Sequence, residues 1–425
     1  MTERSMGVRD VLRIRDYRSI FGGQVVSDIG DGVTFLLLLL VINDLTGSTT
    51  ALALMAICEA LPQFTVGLVA GVYVDRWNRR TVMLAADLLR AVVVIGFAVA
   101  AVEGWVPLLY VLAFVQSSIS TFFRPARGAM LPRIVPVEGL PAANSLAQGS
   151  MVIGGVIGTG IAGLLYGTWG VAYLGFAIDA ATFLVSMAFV SRIPSILGRI
   201  QRASHDAPQA NVVRSMLEGL AIFRHSRVLS GVLLAAAVSM LGLGAVNVLF
   251  VPLIVDDLNV SPTWMAGVEL AQTSAMILAA GVVPMLLRRF APTTIVTGAL
   301  IGVGLCIGAM STVGAVWQVI IVLFVVGWMV TPFQATVQTI VQTTATDATR
   351  GRVVSLLQAS MSTASVVSMA IGGVLADLVG IRAVYAGAAL VVLGAAGVAM
   401  LMFRGVPRRP LVGAPVPVEA EAAAP

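Results

Sequence analysis

The chain has 425 residues, of which 58% are hydrophobic and 11% charged, with 43 glycines and a formal net charge of +5 at pH 7. A soluble domain carries about 25% charged residues, so charge this sparse cannot coat a water-exposed surface of this size. With a mean hydropathy of +0.96, these values exclude a water-soluble globular protein, a disordered chain, collagen and a disulfide scaffold, and put the chain in a bilayer.

Crossing ~30 Å of hydrocarbon takes about 20 mostly apolar residues in a helix. The apolar runs here are long and continuous, unlike the ~10-residue alternating segments of an outer-membrane barrel, so helices are predicted. Twelve follow in chain order, over 20–44, 49–74, 81–101, 106–126, 143–166, 169–192, 228–251, 259–287, 293–312, 315–341, 353–376 and 382–403. They divide the chain into an N-terminal segment (1–19), a first six-helix bundle (20–192), a polar middle loop (193–227), a second six-helix bundle (228–404) and a Pro- and Ala-rich tail (405–425) expected to be disordered.

All 26 basic residues are arginine. Groups of them precede the first span (Arg4 to Arg18), follow the second (Arg76, Arg79, Arg80) and fourth (Arg124, Arg127, Arg133), and fill the middle loop. Others follow the eighth (Arg288, Arg289), tenth (Arg350, Arg352) and twelfth (Arg404, Arg408, Arg409). Arg382 alone falls opposite, and Arg90 alone lies well inside a span. Positive residues stay cytoplasmic, so both termini and the middle loop are expected in the cytoplasm. Asp44, Glu103, Asp256 and Asp257 mark the other side. Cys58 and Cys306 fall in separate spans and read as small packing residues. With no metal-ligand cluster, no nucleophile–base pair and no phosphate-binding glycine loop, no metal, no cofactor and no enzyme activity are expected. The arginines serve topology, and no nucleic-acid partner is expected.

The chain repeats itself at an offset of 210 residues. Met55-Ala56-x-x-Glu59 meets Met265-Ala266-x-x-Glu269, and Ser145-Leu146-x-Gln148-x-Ser150-Met151 meets Ser355-Leu356-x-Gln358-x-Ser360-Met361. Gly163 and Gly170 meet Gly373 and Gly380. Two six-span halves that start from the same side are a parallel duplication, the architecture of secondary transporters.

The junction after the second span reads Gly71-Val-Tyr-Val-Asp75-Arg76-Trp-Asn-Arg79-Arg80. It resembles the signature Gly-x-x-x-Asp-Arg-x-Gly-Arg-Arg of the major facilitator superfamily, with Asn78 at the second Gly. Three further stretches resemble the drug-efflux branch that holds macrolide-efflux proteins and the enterobactin exporter: Ser27-Asp-Ile-Gly-Asp31-Gly, Ala86-Asp87-Leu-Leu-Arg90-Ala, and Phe122-Phe-Arg-Pro125-Ala with Leu131-Pro132. The resemblance covers about 15–404. It implies an all-α fold of twelve membrane helices in two parallel six-helix repeats, and a gating role for Gly71, Asp75, Arg76, Arg79 and Arg80. Gly154, Gly158 and Gly163 resemble the antiporter motif of exporters, with Thr159 where proline is usual. Ordinary small-residue helix packing is the alternative for these three.

Carboxylates inside a membrane are functional candidates by default. At ~1.5 Å per residue, Asp31, Glu59, Asp179 and Glu269 fall near the middle of their spans, and Asp28 one turn from Asp31 on the same face. Two carboxylates that close disfavour joint ionisation, so the pair is a candidate proton carrier. Asp87 and Arg90, three residues apart, are expected to be a structural ion pair, and Asp179, in a span of the type that packs peripherally in this superfamily, is read as a satisfied structural acid ahead of a proton carrier. Polar stripes at helical spacing mark further cavity candidates. They are Gln24 in the first span, Gln116 and Ser120 with Arg124 in the fourth, Gln272 and Thr273 in the eighth, and Thr331, Gln334 and Gln338 in the tenth.

The reading that follows is a proton-coupled secondary transporter in a bacterial cytoplasmic membrane, exporting hydrophobic or amphipathic small molecules by alternating access. Its partners would be the substrate, protons and lipid. The alternatives are an exporter of a siderophore or lipid-like compound, against which Arg90 as the single intramembrane arginine counts, and a non-transporting receptor or assembly subunit.

Overall fold

The structure, a computed structural model, describes residues 6–198, 227–345 and 347–404. The side chains of Leu68, Val69, Gly71, Val72, Asp75, Asp347 and Ala348 are outside that description. So are residues 1–5, most of the expected middle loop and the tail from 405.

The described residues are helical, with no strand among them. A short helix α1 (Val8–Arg13) precedes α2 (Arg15–Thr46), α3 (Thr49–Arg76), α4 (Arg79–Val102), α5 (Val106–Ile134), α6 (Leu140–Trp169) and α7 (Tyr173–Ser191). After the loop come α8 (Arg227–Pro252), α9 (Met265–Arg289), α10 (Pro292–Met310), α11 (Val316–Thr344), α12 (Asp347–Val379) and α13 (Ile381–Met402). Twelve of the helices, α2 to α13, are long and apolar enough to cross a membrane. They coincide with the twelve predicted spans, but several run further. Thus α5 continues eight residues beyond the predicted end at 126, because helix geometry persists past the hydrocarbon as long as backbone hydrogen bonds are made locally.

Local chemistry sets the helix ends. Gly47 closes α2 in the left-handed conformation (φ +58°), as Gly170 closes α6 (φ +65°), a geometry that glycine adopts without strain. Gly380, the residue matched to Gly170 by the 210-residue repeat, also has positive φ (+88°) and separates α12 from α13. The repeat therefore preserves a backbone requirement. Pro107, Pro141 and Pro292 stand in the first turns of α5, α6 and α10, where no N–H is lost. Helix α4 shows how the faces divide. Leu88, Leu89, Val92, Ile95 and Val99 are exposed along one side, while Ala86, Asp87, Arg90 and Val94 are buried on the other. That apolar side would be a liability in water and is the expected lipid face in a bilayer.

The chain divides into two compact units. Unit 1 holds residues 1–207 together with 248–270 and 372–378, and unit 2 holds 208–247, 271–371 and 379–425. In unit 1, α2 packs on α6 and α7, α4 on α5 and α7, and α3 on α5. In unit 2, α10 packs on α11 and α13. Its core gathers Leu229, Val232, Val296, Leu300, Phe333 and Ala396. There the Ser368 hydroxyl donates to the Leu241 carbonyl at 2.6 Å and accepts the Ala245 N–H at 2.9 Å.

Candidate functional site: a charged cavity in unit 1

A cavity of about 560 Å³ opens in unit 1 between α2, α4, α5 and α6, with Glu269 of α9 on its wall. The volume is within the ~300–1,000 Å³ usual for small-molecule sites. Of the sequence candidates, Asp28, Asp31, Glu269, Gln24, Ser120 and Arg90 line it. Glu59, Asp179 and Gln116 are not on its wall.

Close helix approach builds the α2 wall. A Cβ on Gly154 would come 2.7 Å from the Asp28 Cβ, and one on Gly158 would strike the Ile29 carbonyl oxygen. Hydrogen at these two positions is what lets the α6 backbone lie against α2, as small residues do between membrane helices. That approach brings the Ser150 hydroxyl to an Asp28 carboxylate oxygen at 2.6 Å. The Gln24 side-chain amide donates to the Ala147 carbonyl at 3.2 Å. Asp31, one turn beyond Asp28, is exposed to the cavity.

Behind this wall, Asp179 is wholly buried. It accepts the Thr34 hydroxyl at 2.6 Å and the Thr182 hydroxyl at 3.1 Å, so both carboxylate oxygens have partners. Gly30 lies directly over it, and a Cβ there would collide with the carboxylate. Arg90 pairs with Asp87, and Ser186 donates to the other Asp87 oxygen at 2.9 Å. The Arg90 guanidinium also lies 4.4 Å from the Phe123 ring centre and 4.3 Å from that of Phe183. Two ring faces offset part of the desolvation of this cation. Glu59 is half-buried on α3, and its carbonyl accepts the Ser117 hydroxyl at 2.5 Å.

Arg124 and Arg127, one turn apart on α5, also line the cavity. The sequence places Arg124 near the cytoplasmic end of the fourth span, on a polar stripe with Gln116 and Ser120, and Arg127 just beyond that span; in the cavity both arginines stand with Ser120 on the wall. Among the described residues neither makes a hydrogen bond or an ion pair.

The candidates after residue 270 belong to unit 2. Thr331 reaches the carbonyls of Met276 and Gly327, each at 3.3 Å, and so joins α9 to α11. Gln334 and Gln338 are exposed one turn apart on α11, while Gln272 and Thr273 are half-buried on α9.

In the signature junction, the Asn78 side chain accepts from the N–H groups of Arg80 (3.0 Å) and Thr81 (3.4 Å), which makes it the N-cap of α4. This is a physical reason for asparagine where the superfamily pattern has glycine. Arg80 donates to the Ser191 carbonyl at 2.7 Å, tying this corner to the end of α7. Arg79 is buried and Arg76 exposed.

A second polar cluster lies where α2 ends and α3 begins. The Asp377 carboxylate accepts the N–H groups of Thr49 (2.8 Å) and Thr50 (3.0 Å) and the Ser48 hydroxyl (2.7 Å). The Thr49 hydroxyl lies 2.7 Å from Asp377 and 2.6 Å from the Gly373 carbonyl. Nearby, Asn43 donates to Asp256 at 2.8 Å and Tyr166 to Asp44 at 3.0 Å. Gly373 would clash with Ala53 if it carried a Cβ, and a Cβ on Gly163 would come 2.5 Å from the Pro262 carbonyl oxygen. Thr263, 3.6 Å from that second Cβ, is the repeat counterpart of Ala53. None of this cluster except Gly163 is among the sequence candidates. Asp377, close to a span end, reads in sequence as an ordinary boundary acid.

Residues 10–409 match the family described as transmembrane secretion effectors. Over 373 residues the chain is 26% identical to macrolide efflux protein A of Streptococcus pyogenes, covering 86% of this chain and 90% of that protein. It is 27% identical over 369 residues to the multidrug efflux pump Tap of Mycolicibacterium fortuitum, covering 84% and 88%. In fold it is similar to the crystal structure of the nucleoside transporter NupG, with a TM-score of 0.72 at 13% identity, covering 92% of this chain and 99% of that one. The chain belongs to the transmembrane secretion effector family, a transporter family in the drug-efflux branch of the major facilitator superfamily.

Proposed function

We propose that this membrane transporter exports hydrophobic or amphipathic small molecules in exchange for protons, by alternating access of two six-helix halves, 20–192 and 228–404. The observation that carries the reading is the cavity that gathers Asp28, Asp31 and Glu269 beside polar groups on α2, α5 and α6. Protons on these acids, or on Glu59, exchange against substrate. Asp28 and Asp31 lie one turn apart, so charge on one disfavours charge on the other. Asp179, enclosed by Thr34 and Thr182, holds α7 to α2 and is a carrier only through Asp31.

The arginine distribution supports cytoplasmic termini, and the similarity to streptococcal and mycobacterial efflux proteins supports a bacterial plasma membrane. In that orientation the Asp377 cluster is on the outer side and the Asp75–Arg80 junction on the inner side, one at each gate. Gly163 then serves the outer contact, while Gly154 and Gly158 serve the substrate wall.

The test is efflux of a panel of lipophilic dyes and antibiotics from cells expressing the protein, with and without a protonophore. Efflux that collapses with the protonophore supports the reading. Efflux that survives it removes proton coupling, and no efflux of any compound removes the exporter itself.

A further inference from the structure

We propose that Arg124 and Arg127 form a subsite for an anionic group, and that the substrates of this cavity are amphoteric molecules carrying a carboxylate together with a cationic or amine group. The inference rests on the exporter reading above and names its substrate class.

The other charges in the cavity are already engaged or differently placed. Arg90 is neutralised by Asp87 and enclosed by Phe123 and Phe183. Asp28 accepts the Ser150 hydroxyl. Arg124 and Arg127 differ, because both line the cavity and neither meets a carboxylate within 4.0 Å or any hydrogen-bond acceptor among the described residues. Both lie within electrostatic reach of Asp28 but beyond ion-pair distance of it, so their N–H donors are open to water or a ligand in the cavity. Two guanidinium groups one turn apart present several N–H donors to one side of the cavity, the arrangement that binds carboxylates in bidentate fashion.

The same cavity also carries the opposite sign. Asp28 and Asp31 on α2 and Glu269 on α9 face the same space. Helix α5 runs antiparallel to α2, so the arginines lie toward the end marked by Gln24 and the acids extend away from it. A purely anionic compound would meet the acids, and a purely cationic one would meet the arginines. A molecule with both charges satisfies both sets, and only its cationic end competes with protons at Asp28 and Asp31. Exchange against protons is thereby retained.

The experiment uses purified protein in liposomes with an imposed pH gradient and pairs of dyes or drugs that differ only by esterification. Rhodamine 110, a zwitterion, is compared with its methyl ester rhodamine 123, a cation, and ciprofloxacin with its methyl ester. The expected result is that each free acid is transported at least about fivefold better than its ester. In the double variant Arg124→Gln, Arg127→Gln this preference should fall to about one, whereas Arg124→Lys, Arg127→Lys, which keeps the charge but not the planar fork, should show an intermediate preference. Esters carried as well as acids by the native protein would overturn the subsite, as would a preference unaltered in the glutamine variant. If that variant does not fold, the native acid-to-ester ratio decides alone. Failure to move any member of either pair counts against both the subsite and the exporter reading, whereas transport of esters alone overturns the subsite and leaves the exporter standing.

Discussion

The hydroxyl of Ser150 on α6 donates to the carboxylate of Asp28 on α2 at 2.6 Å. Such contact between two membrane helices depends on Gly154 and Gly158, over which the α2 backbone passes. Gly158→Ala drives a methyl group into the Ile29 carbonyl, so the helices must separate. Thermal unfolding in detergent should show a clear loss of stability, on the order of 1–3 kcal/mol for overpacking. Gly149→Ala, where a Cβ meets nothing within 4 Å, should leave the melting temperature unchanged or raise it. Equal melting temperatures for the two variants would contradict the packing role.

Asn78 predicts a graded series. Replacing an N-cap asparagine by alanine costs about 1 kcal/mol, and by glycine only a few tenths. Asn78→Ala should therefore lower the melting temperature, while Asn78→Gly, which restores the superfamily pattern, should come close to wild type. Glycine proving as harmful as alanine would show that Asn78 acts through something other than capping.

The buried pair Asp87–Arg90 should be strongly non-additive. Removing Arg90 alone strands a fully buried carboxylate, a change worth about 3–5 kcal/mol. The double variant Asp87→Asn, Arg90→Gln should recover much of that loss, because no charge is left unmatched. A double-mutant cycle on unfolding with a coupling energy near zero would dismiss the pair as a unit.

At the proposed outer gate, Asp377 offers its charge to the first N–H groups of α3, where the helix dipole favours an anion by about 0.3–1 kcal/mol and the hydrogen bonds add more. Asp377→Ala should raise the population with this end open. Ala53, buried against Gly373, reports it. In protein lacking Cys58 and Cys306, an Ala53→Cys probe should react several-fold faster with a membrane-impermeant maleimide when Asp377 is removed. Equal labelling rates would mean that Asp377 does not hold this end shut.

The length of the apolar runs alone locates the spans, since nothing in a water-soluble fold competes with runs this apolar. The repeat does more, pairing Gly170 with Gly380, which both have positive φ, and Gly163 with Gly373, each of which lies too close to a neighbouring backbone carbonyl for a Cβ. It also draws out Gln148 as a matched residue, though not as a cavity residue. Depth counting marks Asp28 and Asp31 because a carboxylate far from a helix end is conspicuous; it puts Glu269 mid-span as well, whereas α9 begins only four residues before it. Asp377 and Arg127 stay hidden for the opposite reason. Each is close to where a helix is expected to leave the hydrocarbon, where charge is ordinary, and only tertiary contacts reveal that one caps α3 and the other faces the cavity. Thr34 and Thr182 likewise carry no sequence signal, because their role depends on α2 and α7 placing them around Asp179.

Protons on the cavity acids or on Glu59 driving substrate out is the step on which the proposed function turns. It is tested most directly by substrate flux in proteoliposomes under an imposed pH gradient, comparing the native protein with Asp31→Asn and Glu59→Gln, each checked for a native melting temperature. Gradient-driven flux in the native protein that is abolished in these variants, with substrate binding retained, is the predicted result. Undiminished gradient-driven flux in both variants would contradict it.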